Sequence, residues 1–128
     1  MSEPPWLARD VILAIHDRQI AEHGGASGLR DAGALDGALA RARNLQAYGD
    51  PDPYDLAAAY AYGIARDHPF VDGNKRVAFV AARVFLLLHG FALTAPKAER
   101  VATVVRLAAG EISEPELAAW LRRNTTAG

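Results

Sequence analysis

The chain contains no cysteine and a single methionine. Without thiols there is no disulfide framework and no thiolate nucleophile, and a reducing cytoplasm is compatible. An excess of charge of one sign is also missing: 14 Lys and Arg stand against 15 Asp and Glu, a net charge of −1. That balance argues against a dedicated nucleic-acid binder. No apolar run reaches the ~20 residues of a membrane span; the longest, Val77 to Leu88, is interrupted by Arg83. Met1 to Pro5 lacks the basic and apolar regions of a signal peptide. Strand patterns are nearly absent, and no internal repeat, low-complexity block or linker stands out. What remains is a soluble, cytoplasmic globular protein of 128 residues, expected to be one domain over 1–128.

Helical patterns dominate, and the expected fold class is all-α, a bundle of about six helices around a central buried helix. Pro4-Pro5 can open a first helix with Leu7, Val11 and Ile15 on one face, ended by Gly24-Gly25. A glycine-rich loop runs to Asp31, and a second helix from Ala34 to Leu45 turns Leu35, Leu39 and Ala42 inward. Asp52 caps a third helix with Pro53 at its first position and Leu56, Tyr60 and Ile64 on its buried stripe. His68-Pro69 stops it, because the residue before a proline is pushed out of the helical region. A fourth helix, Asn74 to His89, is apolar nearly all round and belongs at the bundle centre. Thr94 and Pro96 open a fifth helix bearing Val101, Val104 and Val105. Ser113 and Glu116 form a capping box for a sixth with Leu117, Trp120 and Leu121. Phe91 to Leu93 is short for a strand, and Thr125 to Gly128 reads as a frayed tail.

One stretch concentrates chemistry: His68-Pro69-Phe70-Val71-Asp72-Gly73-Asn74-Lys75-Arg76. It lies where a loop enters the fourth helix, whose first-turn N–H groups have no intrahelical partner and carry the positive end of the dipole. Gly73, Asn74, Lys75 and Arg76 therefore make a phosphate cradle, with Arg76 offering a planar fork of donors and Asn74 able to orient a phosphate or a metal's shell. Asp72 beside it is placed to bind Mg²⁺ through its carboxylate, with a helix cap as the competing role. His68 is the candidate general base, since imidazole accepts and returns protons near neutral pH. Phe70 anchors the loop in the core. His16, His23 and His89 lack such neighbours and read as structural. Arg83, two turns beyond Arg76, supports the site from below or satisfies a carboxylate such as Asp67, the second being favoured. Arg30 and Asp31 line an acceptor or partner surface, or Asp31 caps the second helix. Phosphate, metal and base together point to phosphoryl or nucleotidyl transfer.

These nine residues resemble the H-x-F-x-[DE]-[GA]-N-[GK]-R signature of the Fic/Doc superfamily, with Lys75 the variant of its Doc (death-on-curing) branch. Gly24-Gly25, Gly28 to Asp31, Leu35 to Leu39, Ala57 to Ala65 and Gly110 to Ala118 extend the resemblance along nearly the whole chain. It implies the Fic/Doc fold and the toxin of a type II toxin–antitoxin pair. It also implies a kinase passing the γ-phosphate of ATP, or another nucleoside triphosphate, to a Ser or Thr hydroxyl of a protein, with elongation factor Tu the implied target and translation arrest the result. Lys75 stands where the Fic branch has a glycine that admits a diphosphate, and Phe79 where that branch often has a second arginine. The residues alone leave AMP transfer and phosphorylation equal; the resemblance selects phosphorylation. The alternatives are a Fic-type nucleotidyltransferase and a non-catalytic partner-binding module.

Some Fic proteins restrain themselves with [ST]-x-x-x-E-[GN], but Glu22, Glu99, Glu111, Glu114 and Glu116 are followed by neither glycine nor asparagine. By resemblance, inhibition is expected in trans from a Phd-like antitoxin whose helix enters an apolar groove. The first helix and the Gly24-to-Asp31 loop are the expected wall. No nucleic acid or membrane partner is expected.

Overall fold

The computed structural model describes residues 6–127. In chain order it contains α1 (Arg9–His23), α2 (Ala32–Tyr48), α3 (Pro53–Asp67), α4 (Asn74–Leu88), β1 (Phe91–Leu93), α5 (Lys97–Ala108), α6 (Glu114–Arg123) and β2 (Thr125–Ala127). The side chains that start three helices are the expected ones. Asp31 accepts from the Ala34 N–H on α2. Asp52 and Asp55 form a reciprocal box on α3, and Ser113 and Glu116 do so on α6. Each satisfies an N–H that the helix itself cannot.

The core is organised on α3. Its residues Leu56 to Ala61 and Gly63 to Ala65 are all buried, whereas α4 exposes Arg83, Leu87 and Leu88. The central helix is thus the one before the motif, not the one after it. Alanine makes this possible: Ala57, Ala58, Ala59, Ala61 and Ala65 bring neighbouring backbones close from several sides. Gly63 shows how close, since a Cβ there would lie 3.0 Å from both Cα and Cβ of Ala38 on α2. On the α4 side, Tyr60 and Phe85 rings sit 5.2 Å apart, and the Tyr60 hydroxyl accepts from the Leu7 N–H at 3.1 Å. Burial pushes the Tyr60 phenol above its ordinary pKa.

Four local expectations are corrected. The buried residues of α1 are Ile12 and His16, while Val11 is exposed and Leu7 is buried ahead of the helix. Both stripes have four-residue spacing, and the one that faces the motif loop is the one buried. The expectation for Pro4-Pro5 lies outside the described residues. On α5, Thr103 and Leu107 face inward and Val101 and Val105 outward. Thr125 to Ala127 is no frayed tail: it pairs antiparallel with β1, Phe91 opposite Ala127 and Leu93 opposite Thr125. Arg83 is exposed and forms no ion pair with Asp67 among the described residues.

Candidate active site

The loop from α3 to α4 is fixed at nearly every residue. Helix α3 stops at Asp67, and His68 takes a left-handed conformation, φ 50° and ψ 60°. Among the described residues it is the one non-glycine with positive φ. That conformation costs an L-residue roughly 1–2 kcal/mol, so its surroundings must hold it. They do so with the loop between α1 and α2. Arg30 donates from Nε to the His68 carbonyl at 2.6 Å and from Nη2 to the Asp67 carbonyl at 2.8 Å. The Pro69 carbonyl accepts from the N–H groups of Arg30 and Asp31 at 2.7 and 3.0 Å, and the Val71 N–H donates to Gly28 at 3.1 Å.

Phe70 is the anchor expected of it, fully buried and stacked on His16 with centroids 3.9 Å apart and planes 6° from parallel. His16 Nε2 lies 2.9 Å from the Asp72 carbonyl, and as a carbonyl only accepts, this nitrogen carries the proton. His16 is therefore structural, as its isolation in sequence suggested, but the structure it supports is the motif. The Asn74 carboxamide, expected at a phosphate or a metal's shell, is engaged at both ends by Phe70: it accepts from the N–H and donates to the carbonyl, each at 2.9 Å. The Asn74 backbone N–H, in the first turn of α4, has no intrahelical acceptor and stays available to a ligand.

Unlike α2, α3 and α6, helix α4 has no side-chain cap; its N-cap is Gly73, left-handed at φ 80°. The N–H groups of Asn74, Lys75 and Arg76 are thus left without an intrahelical acceptor at the positive end of the dipole. They open on a cleft of about 740 Å³ that His68, Asp72, Gly73, Asn74, Lys75 and Arg76 all line. Val71, Phe79 and Val80 extend this wall. Gln19 and His23 of α1, and Lys97, Arg100, Val101, Val104 and Val105 of α5, complete the lining. His23, read as structural from sequence, belongs to the cleft. Lys75, Arg76, Lys97 and Arg100 face it with no ion pair among the described residues, against the single carboxylate of Asp72. A nearly neutral chain thereby concentrates positive charge in one concavity, which suits a polyanion.

Asp72 is exposed, and its two oxygens accept from backbone N–H groups, Oδ1 from Gly73 at 2.8 Å and Oδ2 from Ala26 at 3.2 Å. Each oxygen retains a lone pair for a cation. No cluster of three or more metal-binding side chains exists among the described residues, so an all-protein cage is not available. A magnesium ion bound by one carboxylate, water and substrate phosphate fits this donor set. No described helix is long and apolar enough to cross a membrane.

Comparison with known proteins agrees with the motif. The model of the family described as "Fic/DOC family" matches residues 6–86. The chain is 33% identical over 118 residues to the protein named "Protein kinase doc" of Escherichia phage P1, covering 91% of this chain and 93% of that one. It is 45% identical over 76 residues to "Toxin Doc" of Mycolicibacterium smegmatis, covering 56% and 57%.

Proposed function

From the premise that the chain belongs to the Fic/Doc family, we propose that it is a Doc-type toxin, a kinase that moves the γ-phosphate of ATP to a Ser or Thr hydroxyl of a protein. Elongation factor Tu is the proposed acceptor and arrest of translation the outcome. The single observation that carries this reading is the uncapped start of α4, which shares one cleft with His68 and Asp72. The backbone N–H groups from Asn74 to Arg76, with the Arg76 guanidinium, hold the transferred phosphoryl group and take up charge as it develops. Lys75 adds a point charge that sets which end of the nucleotide faces the acceptor. His68 removes the hydroxyl proton while the hydroxyl oxygen bonds to the γ-phosphorus. The bond from that phosphorus to the β–γ bridging oxygen breaks, and ADP leaves. Asp72 would hold Mg²⁺, which when bound neutralises phosphate charge.

Control in trans by an antitoxin belongs to this proposal, supported by the name "Toxin Doc" of a relative, and a Phd-like protein is the proposed kind. Its proposed seat is the rim of the same cleft, where Val71, Val101 and Val105 are exposed. Of the wall expected from sequence, the first helix lines this cleft through Gln19 and His23, while the Gly24-to-Asp31 loop is bonded to the motif.

The test is transfer from ATP labelled at the γ- or the α-position to purified elongation factor Tu. Label from the γ-position, with no label from the α-position, is expected. Label from the α-position would make the protein a nucleotidyltransferase, and transfer to no protein of a lysate would leave a binding module.

A further inference from the structure

Arg30 lies 37 residues before the motif's first flanking residue, Asp67, on a different loop, yet both its side chain and its backbone bond the start of the motif. Its guanidinium holds the carbonyls of Asp67 and His68, and its own N–H holds the carbonyl of Pro69. One residue thus grips three successive carbonyls, centred on the left-handed one. Two of them belong to the C-terminal end of α3, where carbonyls lack intrahelical partners and a cation is favoured by the dipole. Among the described residues Arg30 forms no ion pair, so backbone oxygens are its recorded partners. The fork geometry matters: two parallel donors of one rigid plane hold two carbonyls at once, a constraint that the rotatable donors of an ammonium do not impose.

The backbone conformation of His68 sets where its Cα–Cβ bond points and which side-chain rotamers are open to it, and that conformation is held through the carbonyls that Arg30 binds. We infer that Arg30 is a positioning residue for the candidate base: by holding the His68 carbonyl it aims the imidazole into the cleft. This rests on the transferase reading given above. The simpler role, a cation that only stabilises the end of α3, makes a different prediction. A helix stabiliser affects how much protein is folded. A positioning residue affects the rate of the folded protein.

The experiment compares the full chain with Arg30→Ala and Arg30→Lys, measuring kcat, the KM for ATP, the melting temperature and the imidazole NMR resonances of His68. Arg30→Ala should lower kcat on the order of 10²-fold, the scale of a misplaced reacting group, while leaving the KM for ATP nearly unchanged. Arg30→Lys, which keeps the charge, should recover little of that rate. Added ethylguanidinium should restore part of it in Arg30→Ala and none in His68→Ala. The His68 resonances should move in Arg30→Ala and stay in place in an Arg9→Ala control. Full kcat in either Arg30 variant, or a loss that matches the unfolded fraction and resists guanidinium, would overturn the inference. If the parent chain transfers label to nothing, the proposed function fails, and the resonances alone decide the role of Arg30: displaced they support it, unmoved they refute it.

Discussion

At the scale of single residues, the motif is held by groups outside it. His16 carries the Phe70 ring and the Asp72 carbonyl, and Gly25 leaves room for the Asp72 carboxylate. A Cβ on Gly25 would stand 2.5 Å from Asp72 Oδ2, whereas one on Gly24 would meet nothing within 4 Å. Both glycines have positive φ, 115° and 79°, so alanine strains the backbone at either. Comparing the two variants therefore isolates the contact with Asp72. Gly25→Ala should raise the Mg²⁺ concentration for half-maximal transfer about 10-fold or more, the usual effect of disturbing a metal ligand's support, and Gly24→Ala should not. Equal Mg²⁺ dependence in a magnesium titration would show that Asp72 does not hold the ion. The six candidate site residues, His68 and Asp72 to Arg76, could be singled out in sequence because they fall within nine positions, and all of them line one cleft. Their supports could not be, because His16, Gly25 and Arg30 reach them across gaps that no local pattern spans.

At the scale of elements, boundaries were readable where side-chain chemistry makes them. Asp52 and Ser113 announce α3 and α6 by their caps, with proline one position on at α3 and two positions on at α6. Those caps also tie stability to pH. Burial works against ionisation of Asp52, but hydrogen bonds from the Asp55 backbone and Arg122 outweigh it and hold the carboxyl below its ordinary pKa. The Ser113 backbone N–H does the same for Glu116. Folded-state values below unfolded ones mean that both groups add stability above the unfolded pKa and lose it as pH falls through the folded one. The melting temperature should thus be level from neutrality down to about pH 5 and decline below about pH 4. Asp52→Asn keeps an N-cap acceptor without the titration, so a melting series on this variant should show a shallower acid limb. An unchanged limb would remove Asp52 from the account. The faces of elements were less readable than their ends. Valines at 101, 104 and 105 promise a core stripe, yet Val101 and Val105 border the cleft, because apolar periodicity does not distinguish a core from a concavity. A three-residue strand has too little period to recognise, and β1 pairs with a segment more than thirty residues away.

At the scale of the whole molecule, the bundle supplies rigidity and the two loops supply chemistry. Helix α3, buried from Leu56 to Ala61 and again from Gly63 to Ala65, presents His68 at its end. Helix α4 presents the phosphate cradle at its beginning, so the site forms where these two helices meet. The all-α class was legible because helix periodicity and caps agree, while the central place of α3 was hidden by its alanines, which look unremarkable in sequence and matter only as close packing. The bonding between the α1–α2 loop and the motif loop has one more consequence. Arg30, Asp31 and Val71 share their backbone hydrogen bonds across the two loops, so neither segment can open without the other. They should behave as one local unfolding unit whose opening is cheaper than melting the bundle. Amide exchange at these three residues should therefore proceed at a common free energy below that of Tyr60 or Ile64. On heating, transfer should cease before helix content is lost; coincident curves for activity and ellipticity would show that the site opens only with the whole fold.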